Sequence, residues 1–402
     1  MKSFKLSRFI TNMGAYIILT IFALVMLFPF IFMVATSLKT PDDTFNYPPR
    51  LLPREGVETT LEGFDKPVPL YHIDIEGVKR DFALVETGIP AGIYAELDDL
   101  SSTFSVPLDM VKPSASGDQF TLPDGTVQPI MDVPVNGTIM QLVQTGKTAL
   151  GRFIDPKDFS REVFQVVRTS QPVTKVTAHP ENYSHVMTME NMGRSLTNTI
   201  LVTLFVVIGQ LVTSVMGGYA FARLRFPGKD KLFVFYLGTI MIPFVMLIIP
   251  LYQLMVLFGW TDKLAALIFP WIFSAYGTFL MRQFFITVPK EIEEAALIDG
   301  ASRFKILYNI FLPAAAPALA TMATFTFLYA WNSFFWPLVI INTGNYENHV
   351  LTLTLNMLRG RASDSANLIL AGAAISILPP FLLYILGQRF FIESAMSSGV
   401  KG

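Results

Sequence analysis

The 402-residue chain is 52% hydrophobic and only 15% charged, with a mean hydropathy of +0.47. Soluble domains carry about a quarter charged residues, so much of this chain is expected to lie out of water. The lack of cysteine excludes a disulfide framework, a thiolate zinc site and a Cys nucleophile, and a net charge of −1 offers no general attraction for nucleic acid. That near-neutrality hides an asymmetry. Residues 40–190 hold 12 Lys and Arg against 22 Asp and Glu, whereas the remainder holds 18 against 9. An acidic block inside a basic, apolar chain points to two compartments. The four histidines (His72, His179, His185, His349) are scattered, with no His-x-x-x-His ligand spacing.

The first apolar segment, Gly14 to Thr36, contains no charge. It exceeds the core of a cleaved signal peptide, typically about 7–15 residues, and is long enough to supply the roughly 20 residues that cross a bilayer. We read it as a retained span. Five further segments qualify, at about 196–219, 232–258, 264–286, 313–341 and 367–388. Pro29, Pro243, Pro250, Pro270, Pro337 and Pro379-Pro380 fall within or at the ends of these spans, which is consistent with kinks. Lys and Arg set the orientation. Lys2, Lys5 and Arg8 precede span one; Arg223, Arg225, Lys229 and Lys231 follow span two; Lys290, Arg303 and Lys305 follow span four; Arg389 and Lys401 follow span six. The short loops of the other side carry only Lys263, Arg359 and Arg361. Both termini are therefore expected in the cytoplasm.

The long connection between spans one and two is then external. Its short runs Phe82–Glu86, Val127–Val133, Val163–Arg168 and Val173–Val176, separated by turn signals, predict a folded β-rich insert over 54–180 rather than a disordered loop. Leu122-Pro123-Asp124-Gly125-Thr126 predicts a tight turn, with Pro pre-set in φ and Gly free to take positive φ. The expected division is 1–53 for the tail and first span, 54–180 for the insert, and 181–402 for the membrane core.

The stretch PKEIEEAALIDGASRFKILYNIFLP, 289–313, lies in the cytoplasmic loop before span five. Pro289 suits a helix start, and Glu291, Glu293 and Glu294 complement its positive end. Ala295 and Ala296 allow close approach of another surface, and Gly300 permits a break before a basic second segment with Arg303 and Lys305. A plain helix-turn-helix linker would look similar. The spacing, however, resembles the EAA loop of binding-protein-dependent ABC importer permeases: Glu294-Ala295-Ala296, then Gly300, then Ile310-Phe311-Leu312-Pro313. That resemblance implies that Glu294, Ala295, Ala296, Asp299, Gly300, Ile310, Leu312 and Pro313 couple the chain to an ATP-binding subunit.

Other stretches resemble the carbohydrate, MalG-like branch of the family. They are Pro29-Phe30 with Ser37-Leu38-Lys39, Asn191 to Thr203, Ala330 to Leu338, and the tail Gln388-Arg389-Phe390-Phe391 with Gly399-Val400-Lys401-Gly402. The resemblance covers roughly 1–53 and 180–402 and offers no template for the insert. It implies an all-α membrane protein with the type I importer permease fold, six transmembrane helices, and a β-rich periplasmic insert between helices one and two. Implied partners are a second permease subunit, expected to be a different chain, two ATP-binding subunits that carry the ATP-Mg, an extracytoplasmic solute-binding protein and a sugar. No cofactor or ATPase site is expected in this chain, which would sit in the inner membrane.

Within span five, Tyr329, Trp331, Asn332 and Trp336 combine flat faces with polar tips suited to stacking and hydrogen bonding with sugars, and are candidate pathway residues. Aromatics at span ends also form interfacial belts or pack helices, and that reading stays open. Asn332 is the strongest of the four, because an amide at depth requires a partner or a wet cavity. Gln210 and Gln253 are weaker cases. By analogy with the family, the external loop 342–366 offers Asn345, Tyr346 and Glu347 to the binding protein.

Two competing classes find less support. An ion-coupled carrier usually holds ionisable groups within its spans, and here Arg282, near an end, is the closest. A membrane-anchored enzyme would need His72, Asp74, Asp98, Asp99 and His179 as acid–base groups, yet no spacing unites them. Gly146-Lys147-Thr148 resembles the end of a phosphate loop, but Gln141 stands where that loop needs glycine.

Overall fold

The computed structural model describes residues 2–46, 48–75, 77–135, 137–361 and 364–399, with side chains throughout except for 2–10, 190, 361 and 389–399. Val400-Lys401-Gly402 of the C-terminal motif therefore lie outside the described residues. The chain divides into a helical unit, Met1–Leu51 with His179–Gly402, and a β unit, Leu52–Ala178.

The helical unit runs through α1 (Lys2–Ser37), α2 (Glu181–Thr188), α3 (Met192–Arg223), α4 (Lys229–Gly238), α5 (Phe244–Leu257), α6 (Leu264–Ile268), α7 (Ala275–Thr287), α8 (Lys290–Ile298), α9 (Arg303–Ile306), α10 (Ala316–Trp331), α11 (Phe335–Ile340), α12 (Leu351–Arg361) and α13 (Ala366–Gly399). Among the described residues, four stretches are long and apolar enough to cross a membrane: Thr11–Ser37, Met192–Arg223, Leu264–Thr287 and Ala366–Gln388. The expected spans at 232–258 and 313–341 are each broken. Lys229–Met241 and Phe244–Leu257 meet at 100°, and Arg303–Ala314 and Ala316–Trp331 at 80°. The count is thus four, or up to six if each bent pair is one span.

Proline explains the first break. Ile242 precedes Pro243, and the ring pushes its neighbour out of the helical region, to ψ 116°. By contrast Pro29 and Pro379-Pro380 remain inside α1 and α13. The fifth span also stops early. α10 ends at Trp331, and α11 begins only at Phe335.

Small residues set the helix packing. A Cβ on Gly277 would lie 2.4 Å from Ser214 Oγ and from the Met322 methyl, and one on Gly218 would lie 2.9 Å from the backbone nitrogen of Arg282. With no hydrophobic drive between helices in lipid, such close approach supplies the contact energy. One core cluster contains Tyr219, Met281, Phe285, Phe311 and Met322. A second contains Val206, Leu267, Trp336 and Leu353.

In the β unit the principal strands are β1 (Val68–Ile75), β2 (Val78–Glu96), β3 (Thr103–Pro107), β4 (Val127–Val135), β5 (Thr138–Asp155) and β6 (Asp158–Gln165). The predicted turn at 122–126 forms, with Gly125 at φ 85° and Asp124 Oδ1 accepting from Thr126 N at 2.9 Å. The run Val163–Arg168 is strand only to Gln165 and then enters a tight helical turn.

The pairing reveals an internal duplication that sequence patterning missed. Strands β1–β2–β3 repeat as β4–β5–β6. Residues 70–83 correspond to 130–143 at an offset of 60, because Leu70 pairs with Ala83 and Ile75 with Val78, as Ile130 pairs with Val143 and Val135 with Thr138. Later residues correspond at 59: Tyr94 pairs with Phe104 as Phe153 pairs with Val163. The central antiparallel pair β2–β5 obeys the same symmetry. Ala83–Ile154 mirrors Ala95–Val143, Leu84–Phe153 mirrors Tyr94–Gln144, and Pro90–Ala149 is its own counterpart, on a local two-fold axis.

The halves are interlocked. One core takes Ile73, Phe82 and Leu84 from the first repeat and Phe153 from the second; the other takes Val133, Val135 and Leu142 from the second and Tyr94 and Val106 from the first. Each half completes its partner's core. Gly92 and its counterpart Gly151 lack side chains for related reasons. A Cβ would lie 2.5 Å from the Tyr94 ring in one case, and 2.5 Å from Val167 and 3.3 Å from the Phe153 ring in the other. Even the turns match: Asp99 Oδ1 accepts from Ser101 N at 3.0 Å, as Asp158 Oδ1 does from Ser160 N at 3.2 Å.

Candidate coupling surface and solute pathway

The 289–313 stretch folds as two short helices. Pro289 caps α8, Glu291 and Glu293 occupy its first turn, and Gly300 closes it at φ 77°. The Ala301 N–H reaches back to Ala296 O at 3.0 Å, satisfying a carbonyl that the helix end leaves open. The Ser302 hydroxyl caps α9 by accepting from Lys305 N at 3.3 Å. An irregular turn through Leu307–Phe311 then leads to the 80° bend.

The motif residues divide between two faces. Glu294, Ala295, Asp299, Gly300 and Pro313 are exposed, whereas Ala296, Ile310 and Leu312 are half-buried against the cluster around Phe285 and Phe311. The outer face also carries large apolar side chains that the motif does not specify. Ile298 is 86% exposed, Phe304 74% and Tyr308 70%, with Ile292 and Leu297 beside them. α8 has nine residues and cannot bury both faces against the bundle. An Ile and a Phe flanked by charges in such short helices were the available signal.

A second feature that sequence reasoning missed lies underneath. Glu293, 7% exposed, accepts a close charge-assisted hydrogen bond from Arg303 Nη1 and faces Arg223 Nη1 at 3.6 Å. In the sequence alone Glu293 is legible only as a partner for the helix dipole and Arg223 only as an orientation signal.

The four pathway candidates are not brought to one surface. Trp336 is 1% exposed, and its indole donates to Ala266 O at 2.9 Å. Trp331 is buried, stacked on Phe327 at 5.5 Å, and donates to Ser376 O at 3.0 Å. Both indoles therefore pack helices and satisfy their single donor internally. Tyr329 and Asn332 are exposed. Tyr329 meets Trp271 edge-on at 5.5 Å, while Asn332 donates to Leu328 O at 2.8 Å in the last turn of α10. Gln210 bridges Trp271 O (2.7 Å) and the Thr326 hydroxyl (2.8 Å), so it is a satisfied helix-to-helix link; Gln253 is exposed.

The 342–349 loop is pinned rather than loose. Asp262 Oδ2 accepts from Asn345 Nδ2 at 2.7 Å, and Asn198 Nδ2 donates to Glu347 O and His349 O at 2.8 and 2.9 Å. His349 is buried against Tyr346, whereas Glu347 remains exposed. The acid–base groups considered for an anchored enzyme do not assemble. His72 pairs with Asp81 and His179 with Glu181, each at 2.6 Å, and no cluster of three or more His, Asp or Glu suited to a metal occurs among the described residues.

Residues 213–394, which include the whole coupling segment, match the family described as binding-protein-dependent transport system inner membrane component. Across 241 residues the chain is 31% identical to the sn-glycerol-3-phosphate transport system permease protein UgpE of Rhizobium meliloti, covering 58% of this chain and 86% of that protein. The chain belongs to this family. Another relative is the arabinooligosaccharides transport system permease protein AraQ of Halalkalibacterium halodurans, 36% identical over 51% of this chain and 73% of that protein. A solved bacterial ABC transporter involved in the import of the acidic polysaccharide alginate aligns at 27% identity and a TM-score of 0.47, over 52% of this chain and 79% of that one. As a family member, the chain is the permease component of a binding-protein-dependent transport system, and the matched region contains none of the β unit.

Proposed function

We propose that this permease is one membrane subunit of an ATP-driven importer for a sugar, an oligosaccharide or a related polyol derivative. The observation that carries this reading is the exposed face of α8 and α9, where small motif residues and the apolar Ile298 and Phe304 stand outward on helices of nine and four residues, too short to cross a membrane. ATP-binding subunits dock on this face from the cytoplasm, and their closure drives alternation between inward-open and outward-open states. The chain acts with a second, different permease subunit and an extracytoplasmic binding protein that delivers the solute. Each bent pair serves as one span, so the total is six, with both termini inside and the β unit outside the inner membrane. Relatives named for arabinooligosaccharides and for sn-glycerol 3-phosphate support a polyhydroxylated solute. A non-sugar solute is the second reading, favoured by the phosphate in the latter name.

Because the chain has no cysteine, topology is open to a clean test. Ser302→Cys and Asp124→Cys are treated in intact spheroplasts with a membrane-impermeant maleimide. Asp124→Cys should label at once and Ser302→Cys only after permeabilisation. Labelling of Ser302→Cys from outside would overturn the coupling assignment.

A further inference from the structure

We propose that Arg223 and Glu293 form a clamp that positions the coupling helix and transmits its displacement to two membrane spans. The proposal rests on the coupling reading above and concerns groups that the motif does not contain. The physical need is plain. α8 is nine residues long and joined to the bundle by turns, and a helix held only by its tethers would tilt under load instead of pulling. A fixed link at its base is required.

Arg223 has the geometry of that link. It is the last residue of α3, its side chain is 4% exposed, and it points inward although it stands where a cytoplasmic arginine would ordinarily reach for lipid headgroups. Its Nη2 donates to Phe285 O at 2.5 Å and, more closely, to Val288 O, so it gathers two carbonyls at the end of α7, the first of which otherwise accepts only the long capping bond from Val288 N at 3.4 Å. Its Nη1 faces the Glu293 carboxylate at 3.6 Å, and its guanidinium carbon lies 4.9 Å from the centre of the Phe311 ring. One planar group thus bonds the ends of two spans, pairs with the coupling helix and rests on the segment that leads into the next span.

Lysine cannot reproduce this, because a point-like ammonium lacks the rigid fork that addresses two carbonyls and a carboxylate together. Arg303 closes the other side of Glu293 but is half exposed, so solvent substitutes for it more readily.

The test uses the full chain co-expressed with its ATP-binding and second membrane subunits and reconstituted in nanodiscs. Nitroxides are placed at Met241 and Leu386, both strongly exposed, and their separation is measured without nucleotide and with ATP and vanadate. In the parent complex the distance distribution should shift. In Arg223→Lys and in Glu293→Gln the ATP-binding subunits should still co-purify within about twofold, but the shift should fall to under a fifth, while Arg303→Gln should keep more than half of it. Glu293→Gln leaves the carbonyl bonds of Arg223 in place and so guards against simple misfolding of the arginine variant. Lower yields with a full shift in every assembled complex would mean that the pair only stabilises the fold, and would overturn the clamp. A parent complex that captures no ATP-binding subunit would instead bring down the coupling reading itself.

Discussion

The two units of this protein treat apolar side chains in opposite ways. In the β unit Phe82, Phe153, Leu142 and Tyr94 are fully enclosed, and the duplicated hairpins exchange aromatic residues to achieve it. In the helical unit Phe22, Met26, Phe235, Met241 and Leu386 stand outward, and the first apolar segment is exposed along most of its length, with burial only toward its end at Thr36 and Ser37. Its interior adds to the apolar clusters a set of satisfied polar links, such as Gln210, Trp336 and Ser195 with Thr354 at 2.7 Å. The surrounding solvent accounts for the inversion. Water drives apolar groups inward, whereas lipid gives no such drive and penalises any unpaired polar group.

The sharpest attack on the comparison is on the paired cores. Phe82→Ala and Phe153→Ala each remove a ring from one core, and each should cost about 3–5 kcal/mol of β-unit stability. Leu142→Ala, the counterpart of Phe82→Ala in the other core, should cost about 2–5 kcal/mol. Denaturant unfolding followed by tryptophan-free near-ultraviolet signals of the β unit would read these; a near-zero effect at Leu142 would show that the two cores are not equivalent.

Next comes a matched pair of surface isoleucines. Ile18 on α1 and Ile139 on β5 are both more than half exposed. An arginine at Ile18 meets hydrocarbon and should cost about 2.5–3.5 kcal/mol of insertion free energy, seen as reduced membrane integration. An arginine at Ile139 meets water and should stay within about 0.5 kcal/mol in a melt of the same protein. Equal effects at both sites would erase the distinction between the solvents.

A smaller effect is expected at Trp336→Phe, which keeps the ring but loses the indole bond to Ala266. Polar links between membrane helices average about 0.6 kcal/mol, so the melting temperature in detergent should fall only slightly. Acid should have the mildest influence, through the matched turns. Hydroxyl and amide hydrogen bonds from Ser101 hold the Asp99 carboxyl below its ordinary range, and those from Ser160 do the same for Asp158. A depressed folded-state value means that this stabilisation is complete above the unfolded value of about 4 and disappears as the pH falls through the folded one. The β-unit melting temperature should therefore be flat above about pH 5 and decline below about pH 4, with Asp99→Asn and Asp158→Asn each softening the decline, the latter slightly more because Asp158 also faces Arg161 at 3.1 Å. No softening in one of the two would indicate that the local symmetry does not extend to the turns.

Much of this was open to reading in one dimension. Runs without charge located the apolar helices, alternation around Phe82–Glu86 and Val127–Val133 marked strands, and the spacing from Glu294 to Pro313 marked the coupling segment. These signals are local, because helix and strand periods and turn chemistry act over a few residues. The repeat in the β unit is hard to see in the sequence because so few identities survive between its halves, Gly92 with Gly151 and Asp99 with Asp158 among them. Its symmetry lies in hydrogen-bond register, which composition does not record.

By itself, then, the amino-acid order determined the class of molecule, the placement of most membrane-length segments, the β character of the insert and the family motif. Tertiary structure alone decided that the chain also breaks at Ala315, that Trp331 and Trp336 face inward, and that Arg223 meets a carboxylate 70 residues away. The physical reason is that burial and pairing depend on which distant backbones approach, and a side chain's type constrains what partner it needs without naming the one it finds.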